Sequence, residues 1–172
     1  MDTPLIQTKD LVKYFNTKRG NLHAVDHVNI SIMKGETLGV VGESGCGKST
    51  LGRTILRLLE PTSGEILYNG QNIVDYSTKQ MKEMRKKMQI IFQDPFTSLN
   101  PRMSVSEIIA EPMITTKTLK NNTERLDRVY RLMETVGLAE RFINSYPHEL
   151  DGGRRQRIGI ARALSVGPEF IV

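Results

Sequence analysis

Gly42-Glu43-Ser44-Gly45-Cys46-Gly47-Lys48-Ser49-Thr50 decides how this chain is read. The stretch fits G-x-x-x-x-G-K-[ST], a loop whose backbone N–H groups cradle phosphate. Its flanks fit as well. Thr37-Leu38-Gly39-Val40-Val41 precedes it, a short apolar run suited to a strand buried on both faces. Leu51, Ile55, Leu58 and Leu59 follow at i, i+4, i+7 and i+8. That spacing makes one face of a helix, which Pro61 stops.

The residue types supply the chemistry. Gly42, Gly45 and Gly47 let the backbone curl until several N–H groups point at one phosphate chain. The helix start adds about half a positive charge at the same place. Lys48 reaches the β- and γ-phosphates, and the Ser49 hydroxyl is placed to ligate Mg²⁺. A glycine-rich turn before an ordinary helix is the plainer alternative. Strand, loop and helix in that order argue against it. Cys46 occupies a free position of the motif and reads as a small filler, not a nucleophile.

The chain has 172 residues, enough for one domain or one core with a subdomain. Charged residues make up 25% and hydrophobic ones 38%, an ordinary globular balance. No apolar run approaches the length needed to span a bilayer. The N-terminus, Met1-Asp2-Thr3-Pro4, lacks an apolar signal core, so export is not expected. One cysteine excludes an internal disulfide and fits a reducing compartment. A net charge of +5 suits nucleic acid, an anionic surface or nucleotide phosphates. The basic residues are scattered apart from Lys82–Lys87 and Arg154–Arg157, and no basic-aromatic patch of the single-strand-binding kind is present.

Pro4 to Phe15 and Leu22 to Met33 read as two strands around a bend at Asn16–Asn21, antiparallel beside a parallel core. Phe15 is open to two readings, adenine stacking or core packing. Ser63–Gly70 reads as a strand closed by an Asn69-Gly70 hairpin turn. Ser77–Lys87 is a polar helix with Ser77 or Thr78 as its cap. Met88-Gln89-Ile90-Ile91-Phe92 is a second buried-type strand ending at Gln93. Ligands in open α/β sheets sit beyond the carboxyl ends of strands, which puts Gln93 within reach of a γ-phosphate, Mg²⁺ or water. On spacing alone a surface glutamine is the safer reading. From residue 104 the period turns helical, over Ser104–Met113 and Asn122–Val136, the latter stopped by Gly137. Asp151 caps a further helix running to about Leu164, with Gly152-Gly153 leaving its start open to close approach. Glu169–Val172 begins a strand.

Three elements in order now match a family. They are Gly42–Thr50; Ile91-Phe92-Gln93-Asp94-Pro95 with Ser98-Leu99-Asn100-Pro101-Arg102-Met103; and Tyr146–Gly153 continuing through Ile158–Leu164. Over essentially its whole length the chain resembles the ATP-binding subunit of ABC transporters. The Ser98–Pro101 run points to the dipeptide/oligopeptide (or nickel) importer branch.

The resemblance implies an α/β fold, a P-loop NTPase (RecA-like) core with an antiparallel β subdomain and an inserted helical subdomain. Residues 1–93 and 151–172 would form the core, and residues 94–150 the helical subdomain that contacts the permease. It implies ATP and Mg²⁺ as cofactors and ATP hydrolysis coupled to uptake of peptides or a similar solute. Phe15 would stack on adenine. Gly42, Glu43, Ser44, Gly45, Cys46, Gly47, Lys48, Ser49 and Thr50 would hold the phosphates, with Ser49 and Gln93 on Mg²⁺ and Lys48 and Gln93 serving catalysis. Asp151, Gly152, Gly153 and Arg154 would close over the ATP of a second, head-to-tail ATP-binding subunit. Membrane permease subunits, and indirectly an external solute-binding protein, would complete the assembly at the cytoplasmic face of the membrane. No nucleic acid is expected. The alternatives are an ABC-type ATPase working on nucleic acid or the ribosome, and a non-catalytic regulatory ATP-binding subunit.

Two departures carry expectations of their own. The family's signature serine is Asp151 here and its glutamine is Arg154. A carboxylate cannot donate a hydroxyl to a γ-phosphate, so the ATP site completed by this signature is expected to be weakened. The family's Mg²⁺-supporting aspartate, its water-polarising glutamate and its switch histidine do not occur within these 172 residues, and His148 precedes the signature helix. The 172 residues are therefore expected to bind nucleotide and hydrolyse it negligibly.

Overall fold

The computed structural model describes residues 3–18 and 20–172. Met1 and Asp2 of the acidic N-terminus, and Arg19 of the expected bend, lie outside the described residues. Two compact units are present, Met1–Met81 and Lys82–Val172.

In the first unit β1 (Ile6–Thr17) and β2 (Gly20–Ile32) pair antiparallel from Ile6 opposite Ile32 to Thr17 opposite Gly20. β3 (Ser63–Tyr68) joins the other edge of β1, and β4 (Gln71–Asn72) follows, so the sheet order is β2-β1-β3-β4. Ile6, Leu11, Ile66 and Ile73 are fully buried. The Asn69-Gly70 turn is as read from the sequence: φ is +48° and +77°, the pair of positive values a tight two-residue hairpin requires.

Between β2 and β3 lies α1 (Lys48–Ile55), which packs on β1 and β2. It ends well before Pro61, and Leu58 is left exposed. Arg57 is the cause. It takes a left-handed φ of +50°, and its guanidinium donates to the carbonyls of Ile73 and Tyr76 at 2.8 and 3.0 Å. These bonds offset the cost of that conformation and turn the chain away.

The strand expected at Thr37–Val41 is the main correction. Among the described residues it joins no ladder, and Leu38, Val40 and Val41 are 41%, 50% and 93% exposed. Apolar composition reports fitness for burial, not the presence of a neighbour. The sheets formed here use other strands, so these side chains have nothing to pack against.

α2 (Thr78–Lys87) runs across the division between the units. Ser77 caps it reciprocally: the Gln80 N–H donates to the Ser77 hydroxyl and the Ser77 N–H donates to the Gln80 side-chain amide oxygen at 2.9 Å. In the second unit β5 (Met88–Gln89) pairs parallel with β6 (Phe170–Ile171), and the Ile91 N–H extends the pairing to the Val172 carbonyl. The remainder is helical: α3 (Pro95–Ser98), α4 (Val105–Thr115), α5 (Asn122–Thr135) and α6 (Gly152–Leu164). Ile108, Ile109, Met113, Met133, Ile158 and Leu150 form their common core. α6 packs against the other three.

Candidate nucleotide site

The loop from Gly42 to Gly47 leads into the first turn of α1. Gly45 and Gly47 have φ of +82° and +97°, a left-handed geometry that suits glycine. Gly47 is also pressed against β2. A Cβ there would come within 2.1 Å of the Ala24 carbonyl oxygen. The loop is thereby seated on β2, the edge strand of its sheet. No side chain caps α1 at Gly47, so the N–H groups of its first turn are left for an external acceptor.

Lys48 curls back over the loop. Its ammonium donates to the Gly42 and Glu43 carbonyls at 2.8 and 2.6 Å, with the Cys46 sulfur 3.6 Å away. The positive charge is held at the loop's mouth, beside the positive end of α1. Ser49 is exposed on the first turn. Hydroxyl, amide and phosphate oxygens are the hard donors Mg²⁺ takes. A cradle of free N–H groups with a lysine at its rim fits a phosphate chain.

Phe15 lies opposite Leu22 across the β1–β2 ladder, two residues before the Ala24 that receives Gly47. The ring is half-buried, with the Lys13 ammonium 5.1 Å from its centroid. Its neighbour Tyr14 stacks on His23 and donates to Asp26, which raises the Tyr14 hydroxyl above its ordinary value and lowers the Asp26 carboxyl below its own.

In the second unit the strand expected over Met88–Phe92 pairs as β5 only at Met88–Gln89, Phe92 is exposed, and Gln93 lies exposed four residues beyond β5. Asp94 follows it and caps α3, accepting from the Phe96 N–H at 2.8 Å. At the start of α6 both oxygens of the exposed Asp151 carboxylate meet Arg154. One oxygen accepts the Arg154 N–H at 2.8 Å and the other pairs with the Arg154 guanidinium at 3.0 Å. Gly152 and Gly153 are exposed, and a Cβ on Gly152 would meet nothing. Sequence reading did not single out two further arginines. Arg155 lies over Phe96, and Arg162 reaches the Ser98 carbonyl; both contacts are long-range and leave no local signal.

The outer face of α4 and α5 carries a groove of about 380 Å³ lined by Met103, Ala110, Ile114, Leu126 and Val129, with Glu107, Glu111 and Arg125 also lining it. No helix among the described residues is long and apolar enough to cross a membrane.

The family described as ABC transporter matches residues 25–172. This chain belongs to the ABC transporter family. Across its whole length it is 56% identical to the oligopeptide transport ATP-binding protein OppF of Bacillus subtilis, of which it covers 57%. It is 46% identical to a putative peptide import ATP-binding protein of Brucella ovis, over 99% of this chain and 54% of that one. It therefore spans just over half the length of these relatives. Among solved structures it is similar to a dimeric ATP-binding cassette in a post-hydrolysis state bound to ADP and Pi. There the TM-score is 0.89 at 32% identity, covering 96% of this chain and 72% of that one. It is also similar to cbiO1 of Clostridium perfringens, part of an ABC transporter complex (TM-score 0.81, 29% identity, 99% of this chain and 64% of that one). The family and the α/β cassette fold are those the three sequence elements imply.

Proposed function

We propose that this chain is the ATP-binding part of an importer that couples ATP binding and hydrolysis to uptake of peptides. The observation that carries this reading is the likeness, 46–56% over nearly every residue, to proteins named for peptide transport and import. The loop geometry supports it. Gly42–Thr50 hold the triphosphate, Lys48 neutralises its β- and γ-oxygens, and Phe15 stacks on the base. Ser49 and Gln93 would hold Mg²⁺, which when bound would supply charge neutralisation at the transferring phosphate. Gln93 orients the attacking water.

Asp151–Arg154 face the nucleotide of a second cassette, head to tail. The commitment of both Asp151 oxygens to Arg154 lessens its repulsion of phosphate but supplies no hydroxyl, so that site is the weaker one. Residues 94–150 act as the helical subdomain, and the apolar groove on α4 and α5 receives an amphipathic segment of the permease. The protein works at the cytoplasmic face of the membrane.

The test is equilibrium binding of a fluorescent ATP analogue with and without Mg²⁺. Saturable, Mg²⁺-dependent binding that falls at least tenfold in Lys48→Ala is expected. Binding that ignores both Lys48 and Mg²⁺ would remove the reading.

A further inference from the structure

We propose that Tyr14, through His23 and Asp26, positions the phosphate loop by clamping a bulge in β2. The inference rests on the nucleotide reading above and adds residues to it. The ladder between β1 and β2 places Tyr14 opposite His23 and Lys13 opposite Val25. One step along β1 thus spans two along β2, and Ala24 is the extra residue. A bulge residue has no partner in the ladder, and its strand bends there. The Ala24 carbonyl oxygen is the atom Gly47 lies against, where a Cβ would come within 2.1 Å. The seat of the loop is therefore a backbone group that the pairing with β1 does not hold.

Side chains around the bulge supply what the ladder lacks. The Tyr14 ring stacks on the His23 ring, with 3.8 Å between centroids and 13° between planes. The Tyr14 hydroxyl donates to one oxygen of the Asp26 carboxylate, and the other oxygen lies 3.8 Å from the His23 Nδ1. One residue of β1 thereby grips β2 on both sides of Ala24 and Val25. Val25 is buried, which anchors the same stretch from the core side. The Tyr14 N–H donates to the Thr62 hydroxyl at 2.9 Å, so the gripping residue is itself tied to the segment before β3. The Tyr14 bond does most to hold the Asp26 carboxyl below its ordinary value, with His27 and His23 acting the same way. The acceptor is therefore a carboxylate at neutral pH, which makes the bond a charge-assisted one.

The step from bulge to phosphate is short. Gly47 is the residue that opens α1, with Lys48 and Ser49 next to it. When the Ala24 carbonyl shifts, the first turn of α1 shifts with it, and so do the N–H groups that a phosphate chain meets. Such groups lose much of their effect when displaced by about 1 Å. Phe15 follows Tyr14 on β1 and pairs across with Leu22, so its ring projects to the opposite face of the sheet. Tyr14 thus acts on the phosphates through the bulge and not on the base through Phe15. Tyr14, His23 and Asp26 are positioning residues; none is placed on the nucleotide.

Hydrogen exchange and ligand binding on Tyr14→Phe, which removes only the hydroxyl, test this. Without nucleotide, exchange is expected to rise about threefold in 22–27 and 42–50 and to stay unchanged in 63–68. With Mg²⁺ present, affinity falls about fivefold both for a fluorescent ATP analogue and for inorganic tripolyphosphate that competes with it. The melting temperature stays within about 2 °C, because the hydroxyl lies at the surface. Asp26→Ala behaves like Tyr14→Phe, whereas Asp26→Asn keeps an acceptor and stays within about twofold of wild type. Unchanged exchange at 42–50 in Tyr14→Phe overturns the clamp, whatever the binding result. A loss for the ATP analogue with tripolyphosphate untouched overturns it too, since the effect then runs through Phe15. A wild type that binds neither ligand overturns the nucleotide reading; faster exchange at 42–50 in Tyr14→Phe would still support the clamp on the loop.

Discussion

At Gly47 two demands meet in one residue. Its φ of +97° disfavours any side chain, and the Ala24 carbonyl stands where a Cβ would go. Gly45 meets only the first demand: φ is +82°, but open space surrounds it. The two substitutions therefore separate conformational strain from steric overlap. Gly45→Ala should cost about 1–2 kcal/mol, the usual penalty of a left-handed residue. Gly47→Ala should cost about 1–3 kcal/mol more, because the loop must lift off β2. Urea melts of both variants measure the difference; equal losses would mean that the contact with Ala24 does not hold the loop. The need for glycine at Gly47 was legible from the motif, whereas Gly45 fills one of its free positions and was read only as helping the loop to curl. The contact with Ala24 was not legible, because it joins residues far apart in sequence and no local pattern encodes it. The same holds for Arg155 over Phe96, whereas Asp151 as a cap was legible because a cap is satisfied three residues away.

Among the elements, α4 shows what makes a helix readable. Val105, Ile108 and Ile109 repeat on one face, and Ser104 opens it with a reciprocal box. The Glu107 carboxylate accepts from the Ser104 N–H at 2.7 Å and from its hydroxyl at 2.9 Å. Those bonds, the backbone one first, hold the Glu107 carboxyl below its ordinary value. The sign follows. A carboxyl whose folded value is depressed contributes stability above its unfolded value, about 4.3, and loses it as pH falls through the folded one. Glu107→Gln should therefore lower the thermal midpoint at pH 7. The gap from wild type should close only as pH falls through the depressed folded value, where Glu107 itself becomes neutral. A gap independent of pH would show that charge is not what the box uses. Thr37–Val41 shows the opposite case. Its composition is as strand-like as that of β3, yet a strand is completed by its neighbour, and composition says nothing about whether one is at hand.

Over the molecule as a whole, apolar side chains that no sheet covers lie on Thr37–Val41 in the first unit and at β6 in the second. Val41 is 93% exposed and Val40 50%; Ile171 and Val172 are 40% and 39%. In Thr37–Val41 apolar exposure and a backbone outside any ladder coincide, and such a segment pairs readily with another chain. The net charge of +5 opposes association only weakly at physiological salt, where repulsion fades within about 8 Å. These 172 residues should therefore self-associate as their concentration rises. Val41→Lys should suppress this, since a lysine at the most exposed position charges the edge without removing a packing contact. Light scattering against concentration measures the effect, and an unchanged melting temperature confirms that nothing in the core was disturbed. Suppression by 1 M salt in place of enhancement would contradict an apolar contact, because salt strengthens apolar association while screening the added charge. Scattering that stays the same in Val41→Lys would move the contact elsewhere, with Ile171 and Val172 at the β6 edge the next segment to charge.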